Sequence, residues 1–301
     1  MTTQKIMLRV IIALMPAVVA SGIIFGVRAI LLILLCASSC VVFEYLSRKL
    51  MRRSNTIYDL SAVVTGILLA MNLPPTLPFW MAIIGSFVSI VIVKQLFGGL
   101  GQNFANPAIV GRIVLMLSFT TQMTTWVKPF WYKTADLTTS PTPLSSSIEK
   151  LPSYLDLFLG TTGGCLGETC ALALLIGGLY LAFTGIISLS TPVSFLGTLA
   201  LLSLIGGADP LYQILSGGAM IGAFFMATDY ATTPVTNKGK IIFGIGCGTI
   251  TFLIRQFGSY PEGVSFSILL MNILTPYIDM FAKTKPLGAK KEAKKEARKN
   301  G

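Results

Sequence analysis

Apolar runs separated by short polar or glycine- and proline-containing gaps account for most of the chain. Ten such runs lie near residues 6–26, 29–47, 57–73, 79–97, 107–121, 165–187, 192–207, 211–228, 240–257 and 264–282. A helix needs about 20 apolar residues to cross about 30 Å of hydrocarbon, so the runs are close to spanning length. Turn-forming residues fill the gaps, as in Asn72-Leu-Pro-Pro. The pattern predicts an all-α integral membrane protein with about ten transmembrane helices.

Composition agrees with this pattern and excludes a water-soluble protein. Hydrophobic residues make up 53% of the 301 residues, charged residues only 12%, and the mean hydropathy is +0.75. The first run, from Ile6 to Gly26, has no small-residue cleavage site before the second run begins. We therefore expect a retained helix there rather than a signal peptide.

A long polar segment divides the apolar runs into two sets of five. We therefore expect a first transmembrane half over 1–121, an outer loop over 122–164, a second half over 165–282 and a basic cytoplasmic tail over 283–301. An odd number of spans per half gives two related halves opposite topology, and both contain glycine-rich breaks, at 98–103 and 217–222. These features favour two inverted five-helix repeats with broken helices. Close helix packing through small residues explains the glycines almost as well.

The distribution of Lys and Arg predicts the orientation in the membrane. With the N-terminus inside, the inner segments hold ten Lys or Arg, among them Lys94 and Arg112. The outer segments hold five, among them Arg255, and the tail after Ala282 adds eight. Because cytoplasmic loops retain positive charge, we expect a multi-pass protein of the cell inner (plasma) membrane with both termini cytoplasmic. Thr142 follows five spans and falls on the outer face. The basic tail is expected to lie beside anionic lipid, and nucleic acid is not expected as a partner.

Four segments, in order between about residues 54 and 280, resemble a known family. They are Gly98-Gly-Leu-Gly-Gln-Asn-Phe-Ala-Asn-Pro-Ala-Ile-Val-Gly-Arg112, Leu166-Gly-Glu-Thr-Cys-Ala-Leu-Ala-Leu-Leu-Ile-Gly-Gly-Leu-Tyr180, Phe225-Met-Ala-Thr-Asp-Tyr-Ala-Thr-Thr-Pro-Val-Thr236 and Tyr260-Pro-Glu-Gly-Val-Ser-Phe-Ser-Ile-Leu-Leu-Met-Asn272. The family is that of RnfD, a component of the Rnf complex, which is an ion-translocating ferredoxin:NAD oxidoreductase. RnfD is similar to NqrB of the sodium-translocating NADH:quinone reductase.

The resemblance implies a membrane electron-carrier subunit that couples electron transfer to sodium or proton transport. It implies the other membrane and peripheral subunits of the Rnf complex as partners, and an oxidoreductase activity that belongs to the assembly rather than to this chain alone. Neither the residues nor the resemblance selects the coupled ion.

The resemblance also implies a covalent flavin on the polar loop. The family attaches FMN through its phosphate to the last Thr of an Asp-x-x-Thr-x-Ala-Thr pattern, which Asp136, Thr139 and Thr142 match, with Pro141 in place of Ala. It thus implies FMN on Thr142, with Asp136, Thr139 and Ser140 around it, and a flavin transferase as a maturation partner. A phosphoester tether would keep the flavin from dissociating at the outer surface. Without the resemblance, the same stretch is simply a polar loop.

Ionisable groups within or beside apolar runs are a second set of candidates, because charge in hydrocarbon is costly. Glu168, Asp59 and Asp229 are candidates for an ion pathway, and Arg112 for a contact to flavin or for structuring a helix break. The alternative is that the carboxylates cap helices or pair with Arg or Lys.

Histidine is absent, and the spacings of the five cysteines match no iron–sulfur pattern. We therefore expect structural cysteines, no metal site and no catalytic residue, and no nucleotide-binding glycine loop follows a strand. A second, noncovalent flavin such as riboflavin is left open. The competing function is a small-solute channel or a secondary transporter of the inverted-repeat type, which would not need the Asp136–Thr142 loop.

Overall fold

The computed structural model describes residues 2–134, 142–144, 152–258 and 263–282. Within these ranges the regular structure is helical, with only a one-residue bridge besides. The helices of the first half are α1 (Thr3–Phe25), α2 (Val27–Leu50), α3 (Ser61–Met71), α4 (Phe79–Phe87), α5 (Pro107–Ser118) and α6 (Thr120–Met123). Those that follow are α7 (Trp131–Thr134), α8 (Tyr154–Leu159), α9 (Ala171–Phe183), α10 (Ser190–Ile205), α11 (Pro210–Leu215), α12 (Ala219–Ile221), α13 (Asn237–Phe257) and α14 (Val264–Phe281).

Each of the ten apolar runs contains helix, which confirms an all-α membrane protein. Their lengths differ from the sequence expectation, however. Four described helices, α1, α2, α13 and α14, are long and apolar enough to cross a membrane, whereas α3, α5, α9, α10 and the α4 segment have 10–17 residues. At 1.5 Å per residue, the 11 residues of α3 reach only about 16 Å, half of the hydrocarbon thickness. Several runs therefore form shorter helices than hydropathy predicts, and α3 is buried along nearly its whole length.

Two runs contain the irregular backbone that the glycine-rich breaks predict. The run at 211–228 is divided into α11, α12 and a π-helical turn over Gly222–Met226, with a break at Ser216–Gly218 where Gly217 has φ +62°. In the first half, α4 continues as a π-helical stretch over Val88–Gln95 and ends in the loop at 96–106. Such stretches are uncommon in helices and occur mostly near functional sites.

One face of α1 shows how the bundle meets lipid. Leu8, Ile12, Met15, Val19 and Ile23 are 45–60% exposed and follow each other at three- or four-residue spacing. Residues at this spacing form one stripe along a helix, and the opposite stripe is buried in the protein. An apolar stripe of this length is expected to face hydrocarbon rather than water.

Glycines let the shorter helices α3 and α9 approach the long helices α2 and α1 closely. A Cβ on Gly177 of α9 would lie 2.0 Å from the carbonyl oxygen of Ala13 on α1, and one on Gly66 of α3 would lie 2.6 Å from Cα of Ala37 on α2. Neither position has room for a side chain, so part of the glycine content serves helix packing, the alternative that the sequence left open.

The packing order is compatible with the expected repeat. In the first half α2 packs against α4, and in the second half α10 packs against α13. Across the halves, α1 contacts α9 and α5 contacts α14. The inverted relation of the two halves stays a prediction.

Candidate functional site

A buried ion pair lies where the two halves of the chain meet. Asn106 begins α5: its Oδ1 accepts hydrogen bonds from the backbone N–H groups of Ala108 and Ile109, with Pro107 as the first helical residue. This start places Arg112 between one and two turns into the helix, where it is 3% exposed. Arg112 Nη2 lies 3.1 Å from Glu168 Oε1.

Groups from two further segments, and from the loop that carries Glu168, surround the pair. Arg112 Nη1 donates to Asn72 Oδ1 at 3.0 Å, just after α3, and to Ser265 Oγ at 2.8 Å, on α14. Glu168 lies in the loop before α9, and its Oε2 accepts from the backbone N–H of Cys165 at 3.3 Å. The structure thus places next to each other two residues that the sequence analysis considered separately. Glu168 pairs with an arginine, as the alternative interpretation of these carboxylates predicts. These contacts of Arg112 run to Glu168, α14 and the end of α3 rather than to the Thr142 segment.

A second buried pair was missed by the sequence reasoning. Lys94 Nζ, in the π-helical stretch, lies 2.7 Å from Glu44 Oε2 of α2 and donates to Ser61 Oγ of α3 at 2.6 Å. Lys94 is 2% exposed and Glu44 is fully buried. The sequence does contain a signal for this pair, because Glu44 lies within the apolar run 29–47 and Lys94 within the run 79–97. Lys94 and Arg112 had been counted as inner-side charges, so their burial removes two cations from the orientation argument.

The remaining two candidate carboxylates have local hydrogen-bond partners. Asp59 Oδ1 accepts from the backbone N–H of Ser61 at 2.8 Å, at the start of α3. Asp229 accepts from the Thr232 hydroxyl at 3.2 Å and lines a cavity of about 90 Å³ that also contacts Lys94 and Ser61. Asp59 therefore acts as a helix-start acceptor, and Asp229 lies close to the second buried pair.

Thr142 lies in the described segment 142–144, whereas Asp136, Thr139 and Ser140 lie outside the described residues. Its side chain is only 1% exposed, and its Oγ1 accepts from the backbone N–H of Leu144 at 3.4 Å. The Tyr212 hydroxyl of α11 donates to the carbonyl oxygen of Pro143 at 2.9 Å. This bond fixes the segment on the protein, so the unmodified hydroxyl is covered rather than accessible.

A cavity of about 570 Å³ adjoins the same segment. Its lining residues come from the segment, the start of α8, α11 and the end of α13: Pro143, Leu144, Pro152, Ser153, Tyr154, Ala208, Asp209, Tyr212, Gln213 and Arg255. At the rim, the Tyr154 hydroxyl donates to the Asp209 carboxylate. This hydrogen bond lowers the pKa of the Asp209 carboxyl below its ordinary value and raises the pKa of the Tyr154 phenol. Volumes of about 300–1,000 Å³ are usual for sites that bind small molecules and cofactors.

The cysteines fit a packing role. Cys36, Cys40, Cys165 and Cys247 are buried and Cys170 is partly buried, all as free thiols. Among the described residues, no group of three or more metal-ligating side chains comes together. The expected absence of a metal site remains a prediction for the chain as a whole.

Comparisons with known proteins give the same relationship along nearly the whole chain. The sequence pattern of the NQR2, RnfD, RnfE family matches residues 1–288. The D component of the Na⁺-translocating ferredoxin:NAD⁺ oxidoreductase complex of Acetobacterium woodii is 50% identical, over 99% of this chain and 94% of the relative. The D component of the proton-translocating ferredoxin:NAD⁺ oxidoreductase complex of Clostridium ljungdahlii is 44% identical, over 96% and 93%. The D component of an ion-translocating oxidoreductase complex of Salmonella newport is 37% identical, over 96% and 95%.

Proposed function

The chain belongs to the NQR2, RnfD, RnfE family, and from that premise we propose that it is the membrane electron-carrier subunit of an ion-translocating ferredoxin:NAD⁺ oxidoreductase complex. Relatives named as the D component of such complexes align with it almost end to end. Its partners are then the other subunits of that complex. As a carrier within an assembly, it has no separate reaction of its own.

The electron carrier in this proposal is FMN esterified to Thr142. The observation that supports it is the position of this threonine: it ends the Asp136-x-x-Thr139-x-x-Thr142 spacing and is followed directly by residues that line the 570 Å³ cavity. When bound, the flavin supplies the capacity to take up and release one or two electrons. The protein's own contribution is to hold the attachment point: Tyr212 fixes the carbonyl of Pro143, and α11 supports the segment.

The covered state of Thr142 bears on how the flavin is attached. A transferase needs the hydroxyl, and in the unmodified chain that hydroxyl is 1% exposed. Attachment by a flavin transferase therefore requires the 142–144 segment to be displaced from α11, or to be modified before it settles there. The hydrogen bond from the Tyr212 hydroxyl to the Pro143 carbonyl contributes about 1 kcal/mol, so this bond alone does not prevent such a displacement.

The two buried ion pairs limit which carboxylates can contribute to the ion-transport part of the proposal. Glu168 is neutralised by Arg112 and Glu44 by Lys94, so no carboxylate of these pairs presents a net charge to a passing cation. Asp229 and Asp59 lie beside the Lys94 pair and accept their described hydrogen bonds from neutral groups. One relative is named as sodium-translocating and another as proton-translocating. The coupled cation of this chain therefore has to be identified by a transport measurement.

The test of the flavin is in-gel fluorescence after denaturing electrophoresis of protein made with and without a flavin transferase. We expect a fluorescent band that requires the transferase and is lost in Thr142→Ala. Thr161→Ala is a matched control, because Thr161 is an exposed threonine in the same inter-half region. A band that persists in Thr142→Ala would refute this attachment site. A colourless protein that conducts solute in liposomes would instead support the channel or transporter function.

A further inference from the structure

The cavity beside Thr142 is lined by a cation that has no carboxylate at ion-pairing distance among the described residues. Arg255 lies in the last turn of α13 and lines this cavity. We propose that the cavity receives the flavin nucleotide tethered to Thr142 and that Arg255 supplies the positive charge facing it. This inference rests on the proposed flavin attachment and extends it to the residues that surround the cofactor.

The position of the cavity matches the reach of a tethered group. Pro143 and Leu144, the two residues after the attachment point, form part of its wall. A Cβ placed on Gly217 would lie 2.7 Å from Leu144 Cδ1 and 3.1 Å from Arg255 Nη2, so both atoms border the same point. A group esterified to Thr142 is therefore attached directly before Pro143 and Leu144, which line the cavity together with Arg255.

The hydrogen-bond partners of Arg255 do not neutralise its positive charge. Its Nη1 donates to the carbonyl oxygen and the Oε1 of Gln213, and its Nη2 donates to the carbonyl oxygen of Ser216. These acceptors are neutral, and Nε has no partner among the described residues. Arg255 is only partly buried. The fully buried cations Arg112 and Lys94 each pair with a carboxylate. Glu168 also acts on the Arg255 charge but is already paired with Arg112.

An anionic flavin nucleotide provides the missing counter-charge. The phosphodiester that links FMN to a threonine carries one negative charge, and a flavin that takes up two electrons and one proton carries another on its ring. A partly buried cation is stabilised by an anion at short range, and a positive charge near the ring favours the reduced form of the flavin. Tyr212 and Tyr154 add aromatic surface, and Pro143 and Leu144 add apolar surface, for the ring.

The experiment measures the reduction potential of the covalent flavin in the purified full-length chain, made with a flavin transferase, as wild type, Arg255→Gln and Arg255→Lys. Removing the positive charge should disfavour reduction about tenfold, which equals about 30 mV to more negative potential for a two-electron couple. Arg255→Lys, which keeps the charge, should stay near wild type. Arg28→Gln is the matched control, because Arg28 also bonds backbone carbonyls, those of Pro75 and Thr76, but lies outside this cavity.

Iodide quenching of the wild-type flavin gives a second measurement that needs no variant to fold. A ring seated in the cavity should be quenched much less in the native protein than after denaturation. Equal quenching in both states, or a potential that is the same in Arg255→Gln as in Arg28→Gln, would overturn the inference while the in-gel flavin band remains. A wild-type chain without that band would instead overturn the flavin attachment itself.

Discussion

Arg112 and Glu168 neutralise each other at a place where either charge alone would be strongly unfavourable. The two side chains are 3% and 2% exposed, and their N–O distance is 3.1 Å. The desolvation of such a pair can exceed its Coulomb attraction, so its presence is weak evidence for stability. The hydrogen bonds from Arg112 to Asn72 and Ser265 offset part of this cost and fix where α5 meets α14. The pair therefore specifies an arrangement of the two halves.

Breaking this pair should be more harmful than removing it. Glu168→Gln removes the carboxylate that lies 3.1 Å from the buried Arg112 Nη2, and we expect a loss of about 3–5 kcal/mol in unfolding free energy. The double variant Arg112→Met/Glu168→Met should recover most of that loss. Thermal unfolding of the purified protein in detergent, for wild type, Glu168→Gln and the double variant, measures the effect. A Glu168→Gln protein as stable as wild type would show that the two side chains are not ionised partners.

The Tyr154–Asp209 contact predicts a pH dependence at the cavity rim. The pKa of Asp209 is lowered in the folded chain, so this contact contributes stability above the ordinary carboxyl pKa of about 3.9, and the contribution is lost as the pH falls through the lowered value. Tyr154→Phe removes the donor, and the Asp209 pKa should rise toward its ordinary value. A carbon-13 NMR titration of the aspartate carboxyls, with Asp209→Asn for assignment, measures it. An unchanged titration in Tyr154→Phe would exclude the hydrogen bond as the cause.

Helix–helix distance in this fold depends on a few glycines. Gly66→Ala places a methyl group 2.6 Å from Cα of Ala37 and 2.7 Å from the carbonyl oxygen of Cys36, so α3 must move away from α2. We expect a loss of about 1–3 kcal/mol. Gly197→Ala in α10 is the control: nothing lies within 4 Å of its Cβ, and alanine favours the helix by about 1 kcal/mol. Thermal unfolding compares them, and equal effects would mean that close packing does not restrict Gly66.

The helices could be located from hydropathy, but their lengths could not. All ten apolar runs contain helix, because each must satisfy its backbone hydrogen bonds inside a bilayer. The run at 57–73 yields only the short α3, because Asp59 provides an acceptor at its start and Asn72 lies just after its end. Such boundaries depend on individual polar contacts, which an apolar average over about 19 residues does not register.

The site was only partly predictable, for the same reason. Glu168 and Arg112 were recognised as costly charges, but their pairing joins positions 56 residues apart and depends on how α5 packs against the loop before α9. Lys94 was assigned to an inner loop because it lies near the end of an apolar run, whereas it points into the bundle toward Glu44. Arg255 was assigned to an outer segment, and its place beside Leu144 depends on the tertiary packing of α11 and α13.

At the scale of the whole molecule, the two halves form a joined core rather than separate units. Ser21 of α1 donates to the carbonyl oxygen of Leu166, and the backbone N–H of Gly167 donates to the carbonyl oxygen of Met71 at 2.6 Å. Together with the Arg112–Glu168 pair, these bonds connect α1, α3 and α5 to the loop before α9. A displacement of this loop would therefore have to break its contacts with the first half.

The orientation of the molecule can be tested because its own cysteines are poor targets for labelling. Four of the five are buried, so cysteines introduced at exposed positions dominate the reaction with a membrane-impermeant maleimide. With the N-terminus cytoplasmic, Leu155 (68% exposed) lies outside and Val235 (81% exposed) lies inside. In intact cells we expect labelling of Leu155→Cys at once and of Val235→Cys only after permeabilisation. The reverse pattern would place the Thr142 segment, and any flavin on it, on the cytoplasmic face, where a soluble electron donor could reach it directly.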